Sequence, residues 1–259
     1  MKLTIKIDPV KVVPAHTKHE MFEVFEKYYD FTTFGQFIDD LRNKTHVILL
    51  HDNNSLVGFS TVFWQVQETG ETILFSGDTI LEKAYWGTKL LQRAFYKLMF
   101  SALKGSRGHP VYWMLMSKGY KTYLLMRRNF AVSFPNYKNP IPAKFEELRD
   151  RFYENRFASN YFKEKGLVQY KSSLGQLKKG IAEPMLDDLT DMEIRFFVQA
   201  NPYAAKGDEL ACIAQIRWRD LLITGIKHLF KWRKISNQKQ EGGGEQKLKL
   251  NQAATFKNA

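Results

Sequence analysis

The sequence predicts an α/β (α+β) fold: a mixed central sheet flanked by helices, with a helical elaboration toward the C-terminus. Three observations carry that expectation. Hydrophobic residues make up 44% of the 259 positions and aromatic residues 14%, enough to fill a core. Three apolar strands joined by turn-forming segments run from Val47 to Asp78. Strand, amphipathic helix and strand then follow between Thr72 and Met116, the order of a right-handed crossover between two parallel strands.

The elements are justified in turn. Leu3-Thr4-Ile5-Lys6-Ile7 alternates in polarity and reads as a strand. Thr17-Lys18-His19-Glu20 has capping-box spacing and predicts a helix from there to about Tyr29. Thr33-Phe34-Gly35-Gln36 repeats the pattern before a second helix bearing Phe37, Ile38 and Leu41. Val47–Leu50, Leu56–Val66 and Thr72–Asp78 are strands, separated by Asp52-Asn53-Asn54-Ser55 and by Gln67–Glu71, both rich in turn residues. Gly87, Leu90, Leu91, Ala94, Phe95, Leu98 and Met99 recur at three and four, an amphipathic helical stripe. Gly105–Pro110 breaks it, Val111–Met116 is a buried strand, and a helix over 120–128 ends at Asn129, a residue that tolerates the left-handed C-cap.

Beyond Phe130 the pattern predicts a charged amphipathic helix over Phe145–Phe157 and a short strand at Leu167–Tyr170. A helix opened by Thr190-Asp191-Met192-Glu193 runs to about Gln199, a strand spans Glu209–Ile216, and a closing helix spans Arg217–Trp232. The expected organisation is a core over 1–133, a C-terminal elaboration packed on it over 134–235, and a disordered basic tail over 236–259. That tail, rich in Gln, Lys, Asn and Gly, has almost nothing to bury.

Lys and Arg number 39 against 27 Asp and Glu, a net charge of +12. Half of the excess lies from Lys227 onward, where eight basic residues face only Glu241 and Glu245. Such a tail attracts polyanions, whether nucleic acid, an anionic membrane surface or an acidic protein, and does not choose among them. A single cysteine excludes a disulfide framework within the chain. Apolar runs fall short of the roughly 20 residues that span a bilayer, and Lys2 and Asp8 stand where a signal peptide needs an apolar stretch. A cytoplasmic protein is the expectation. The six histidines form no helical pair at metal spacing, Cys212 shares a strand face with Leu210, Ala214 and Ile216 and reads as a core thiol, and neither a Walker loop nor a G-x-S-x-G elbow occurs.

The element order of residues 1–130 resembles the GNAT (N-acetyltransferase) superfamily of acyl-CoA N-acyltransferases. Lys83-Ala84-Tyr85-Trp86-Gly87-Thr88-Lys89-Leu90-Leu91 matches the family's phosphate loop at Tyr85 and Gly87. It departs from the pattern at Trp86, where Arg or Gln is usual, and at Lys89 and Leu91, where small residues are usual. Tyr123–Phe130 is similar to the family's fourth-helix ending, with Asn129 in the usual glycine position.

The resemblance implies an N-acyltransferase that moves an acyl group from acetyl-CoA or a longer acyl-CoA to a small-molecule or peptide amine. The degenerate loop leaves two alternatives: a donor held on an acidic acyl carrier protein, or a non-catalytic binding module. The implied cofactor contacts are Thr79, Ile80, Gly87, Thr88, Lys89 and Arg93, the pyrophosphate meeting the helix N-terminus and Lys89, Arg93 and Lys97 forming one basic stripe. The pantetheine slot falls between Phe75–Thr79 and Met114–Ser117. Asp78 is the candidate general base and Tyr120 and Tyr123 the candidate acids; the family's usual tyrosine position falls on Leu125.

Overall fold

The computed structural model describes residues 2–170, 176–177 and 186–223. Its elements in chain order are β1 (Leu3–Pro9), α1 (Ala15–Glu26), β2 (Tyr29–Asp30), α2 (Phe34–Arg42), β3 (His46–Asp52), β4 (Ser55–Val66), β5 (Thr72–Leu81), α3 (Leu90–Gly105), β6 (Val111–Ser117), α4 (Tyr120–Asn129), β7 (Ser133–Phe134), α5 (Ala143–Phe157), β8 (Tyr161–Phe162), β9 (Leu167–Val168), β10 (Gln176–Leu177), α6 (Met192–Ala200) and β11 (Glu209–Ile216). Residues 1–217 form one compact unit and 218–259 a second, of which 218–223 are described and helical. The tail expected at 236–259 and most of the closing helix expected at 217–232 lie outside the described residues. Among the described residues no helix is long and apolar enough to cross a membrane.

The main sheet runs β1-β3-β4-β5-β6-β11-β9-β8, with β7 on the outer edge of β11. Its pairings are antiparallel except β5–β6, which α3 connects as a crossover. The sheet is therefore mixed, with helices on both faces. On one face Val47, Leu49, Phe59 and Ile80 meet Met21, Phe25, Phe37 and Leu41 from α1 and α2. Farther along that face Ile73, Phe75, Tyr112, Met114 and Ile213 meet Leu148 and Tyr153 from α5. On the opposite face Trp113 packs 5.7 Å from Phe95 of α3, and its indole donates to Ser76 Oγ at 2.9 Å. Every buried strand side chain of this size contributes about 1.5–3 kcal/mol, and between irregularities in the ladder the period of two sorts them between the faces.

Three helix boundaries differ from the sequence expectation, two of them because a side chain is engaged elsewhere. Helix α1 begins at Ala15 directly after Pro14, whose φ of −62° lets the chain turn into the helix without a side-chain cap; Thr17 is buried inside it. Thr190 does not cap α6, because its hydroxyl donates to Asp187 O at 2.8 Å, and Asp191 instead accepts from Glu193 N at 2.8 Å. Asn129 stays helical and its amide donates to Leu125 O at 2.7 Å, so α4 ends on an extended Phe130 rather than a left-handed residue. The Thr33–Gln36 capping box is present in full. The predicted strand at 167–170 is shorter, Leu167–Val168.

Candidate active site

The strand predicted to end at Asp78 continues to Leu81, and this extension creates the site. β5 and β6 pair from Thr72↔Val111 to Ser76↔Leu115 and then part. Met116 and Ser117 go on pairing with Ala211 and Leu210 of β11, while β5 stays on β4 through Leu81. The divergence has a local cause. Ser60 opposes Thr79 and Val62 opposes Ser76, so Gly77 and Asp78 face the single residue Thr61: a β-bulge, which bends its strand. Glycine is required at 77 by crowding, since a Cβ there would lie 2.6 Å from Thr61 Oγ1 and 2.8 Å from Lys44 Cε.

Hydrogen-bond phase determines what the gap presents. Glu82 N donates to Val57 O at 2.9 Å, so alternation along an antiparallel pair turns Ile80 toward β4 as well. The main-chain groups of Thr79 and Leu81 then face the side that β6 has left. Ile80 was expected to contact the cofactor; instead its backbone pairs with Phe59 and its side chain is core. The bulge shifts the alternation by one residue, which no reading of sequence period shows.

The gap opens into a cavity of about 1140 Å³, walled by Ser76–Thr79 on one side and Leu115, Met116, Lys118 and Gly119 on the other, and roofed by aromatic side chains of α1, α2 and α5. Asp78 lines it. Burial pushes its carboxyl up to about 6, with the Asp40 carboxylate adding to the shift and Lys44 and Lys118 opposing it. Lys44 is committed to both oxygens of Asp40, at 2.8 and 2.7 Å, and Lys118 to Glu209 at 3.0 Å. Two phenols complete the lining. Burial holds Tyr29 and Tyr170 well above the ordinary tyrosine value, reinforced by Asp78 and Glu209 in both cases, so both stay protonated. The Lys118 ammonium sits 5.5 Å over the Tyr29 ring.

The chain resembles solved N-acetyltransferase structures. No protein-family model and no curated protein matches it. An acyl-CoA N-acyltransferase from Pseudomonas aeruginosa is 14% identical over 53% of this chain and 94% of that one, with a TM-score of 0.39. A GNAT family N-acetyltransferase from Escherichia coli in complex with CoA is 13% identical over 50% and 69%, with a TM-score of 0.37. The ribosomal-protein-S18-alanine N-acetyltransferase of Escherichia coli is 15% identical over 53% and 85%, again at 0.37. What the gap can hold follows from its own residues.

Thr79 stands on the open edge, its hydroxyl 2.8 Å from Ser60 Oγ. Gly87 adopts φ +82° and Lys89 φ +59°, the left-handed turns that deliver the chain into α3. Thr88 Oγ1 donates to Tyr85 O at 2.6 Å. The first-turn N–H groups of α3 have no intrahelical acceptor, and Arg93 is exposed one turn in. Lys97 leaves the expected stripe, reaching to Ile5 O at 3.4 Å. Trp86 lines the cavity, and its indole donates to Leu81 O at 2.7 Å, occupying one of the two edge positions.

Tyr120 and Tyr123 are not brought to the cavity. Both project from α4 toward the α6 side, where Tyr120 donates to Asp188 Oδ2 at 2.9 Å and Tyr123 to Glu193 Oε2 at 2.7 Å. The helical face they occupy is claimed by packing against α6, Tyr123 lying 5.4 Å from Phe197. Tyr29, which sequence reasoning passed over, lines the cavity together with Asp78; a Tyr-Tyr pair at the end of a helix gives no signal of it. Cys212 is fully buried, which pushes its thiol up to about 12, away from nucleophile chemistry.

Proposed function

We propose that the protein is an N-acyltransferase that moves an acyl group from a pantetheine thioester, acetyl-CoA or a longer acyl-CoA, to an amine. The observation that carries this reading is the parting of β5 from β6 beside Asp78. An exposed strand edge inside a slot recruits an extended, amide-bearing arm by main-chain pairing, and Thr79 and Leu81 offer that edge. The residues present fit such a donor: the edge for the arm, and Gly87 with the N-terminus of α3 for the diphosphate, backed by Lys89 and Arg93.

The thioester supplies an activated carbonyl with a good leaving group. This chain's residues do the rest. Asp78, poised near 6, is ionised at neutral pH and takes the proton from the attacking amine. The C–N bond forms, the C–S bond breaks, and the neutral Tyr29 phenol donates a hydrogen bond to the departing sulfur. Walls of aromatic side chains exclude water from the acyl group.

The test is ligand-dependent melting. Acetyl-CoA or octanoyl-CoA at a hundred times its Kd stabilises by about 2.7 kcal/mol, a rise of roughly 5–10 °C for a chain of this size. If no pantetheine thioester, free or on a carrier protein, moves the melt, the reading is wrong. Trp86 sharpens the test. Its indole must release Leu81 O before an arm can pair there, so Trp86→Phe removes a competing hydrogen bond of about 1 kcal/mol. CoA is expected to bind about fivefold tighter to that variant by calorimetry, and CoA addition to the unmodified protein to change tryptophan fluorescence.

A further inference from the structure

We infer that the acceptor is a small acidic amine, one whose carboxylate or phosphate docks on the guanidinium of Arg156 while its amino group faces Asp78. This inference rests on the acyl-transfer reading above and names the substrate class of the same cavity.

Arg156 projects from α5 into the cavity, half-buried, with its guanidinium stacked 4.4 Å from the Phe63 ring centre and 5.2 Å from that of Phe75. It spends one N–H on Asn43 O at 2.6 Å. Among the described residues no carboxylate pairs with it, in contrast to Lys44 and Lys118, whose charges are already met by Asp40 and Glu209. Burial lowers its affinity for its proton, and the Asp40 carboxylate, which is ion-paired to Lys44, opposes that shift only in part. A guanidinium has five donors in a rigid fork. The remaining ones match a carboxylate or phosphate, and two aromatic faces fix the plane in which they point.

The cavity is polar in the sense of having two unlike ends. Asp78, Asp40 and Glu209 gather where β5 leaves β6 with Lys44 and Lys118 among them, three negative charges against two, a balance that favours an ammonium group over an anion there. Arg156 lies over Phe75, three residues earlier on β5, with Arg151 of the same helix also lining the wall. Both groups line one cavity, which a single small molecule carrying an amine and an acid group can bridge. A neutral amine leaves the guanidinium unpaired when the cavity fills, an outcome that costs more than the lost bond alone.

The experiment compares leucine, leucinamide, 3-methylbutylamine and phosphoethanolamine. Thiol release from octanoyl-CoA is followed with each, and each is also titrated alone into the protein by calorimetry. Leucine or phosphoethanolamine is expected to show a KM at least tenfold below the two uncharged-end amines, and whichever of the acidic pair wins identifies the anion. Arg156→Gln is expected to raise the KM of the acidic amine at least tenfold and erase the preference, and Arg156→Lys to restore it in part; melting curves confirm that both variants fold. Equal or better use of leucinamide or 3-methylbutylamine overturns the inference, as does a preference that survives Arg156→Gln, or failure of both acidic amines to bind at millimolar concentration. If acyl-CoA does not bind while an acidic amine does, the transfer reading falls and the anion site stands.

Discussion

Asp78→Asn is expected to lower kcat/KM by about 10²–10⁴-fold, the usual contribution of a positioned general base, while leaving CoA binding unchanged. The pH dependence gives the sign. The base must be ionised to accept a proton, and burial raises its value to about 6, so kcat/KM falls as pH drops through 6 and is flat on that limb above about 7. In Asp78→Asn that limb disappears. Stability moves the other way. The folded protein holds the Asp78 proton more tightly than the unfolded chain, so this group costs stability progressively as pH rises from about 4 to about 6. Asp78→Asn should therefore melt a few degrees higher than the parent protein at pH 8 and differ little at pH 4. A variant both more stable and inactive is the expected signature of a carboxylate kept for chemistry. An unchanged rate would remove Asp78 from the mechanism.

The second large effect concerns the cluster that took Tyr123 away from the cavity. Arg127 donates to Glu193 Oε1 from Nε at 3.1 Å and from Nη2 at 2.9 Å, and to Ser133 O from Nη1 at 3.0 Å. Tyr123 donates to the other oxygen of Glu193. The two charged side chains are only 10% and 16% exposed. Glu193→Ala takes the counter-charge from Arg127, leaving it Ser133 O, and leaves Tyr123 only Pro135 O at 3.2 Å, at a cost of about 3 kcal/mol, or roughly 10 °C in Tm. Tyr123→Phe removes one hydrogen bond, costs about 1 kcal/mol, and leaves kcat intact. A loss of turnover in Tyr123→Phe at unchanged Tm would return that phenol to the active site.

How far the sequence was legible follows from the range of the interactions involved. The strands, the crossover and most helices were readable because polarity period and turn residues are local. The strand that carries Asp78 was readable too, although it runs on to Leu81. The bulge was not: it exists only against β4, where Gly77 and Asp78 oppose Thr61, and it moved the edge contact from Ile80 to Leu81. The tyrosines of α4 were misassigned because a helix face has no meaning until its partner is known, and α6 lies some 70 residues on. Arg156 falls in the charged amphipathic helix Phe145–Phe157, where nothing local singles it out; its partners Phe63 and Phe75 lie more than 80 residues earlier.

The register of β11 on β6 also constrains when the slot comes into being. One wall of the gap, Met116 and Ser117, is held by Ala211 and Leu210, so a growing polypeptide acquires it only after β11 has been synthesised. Until then the edge of β6 opposite β5 is bare from Val111 to Ser117, a place where a neighbouring chain can add a strand. Late closure of so distant a pairing makes folding slow, and it couples the formation of the cavity to β11.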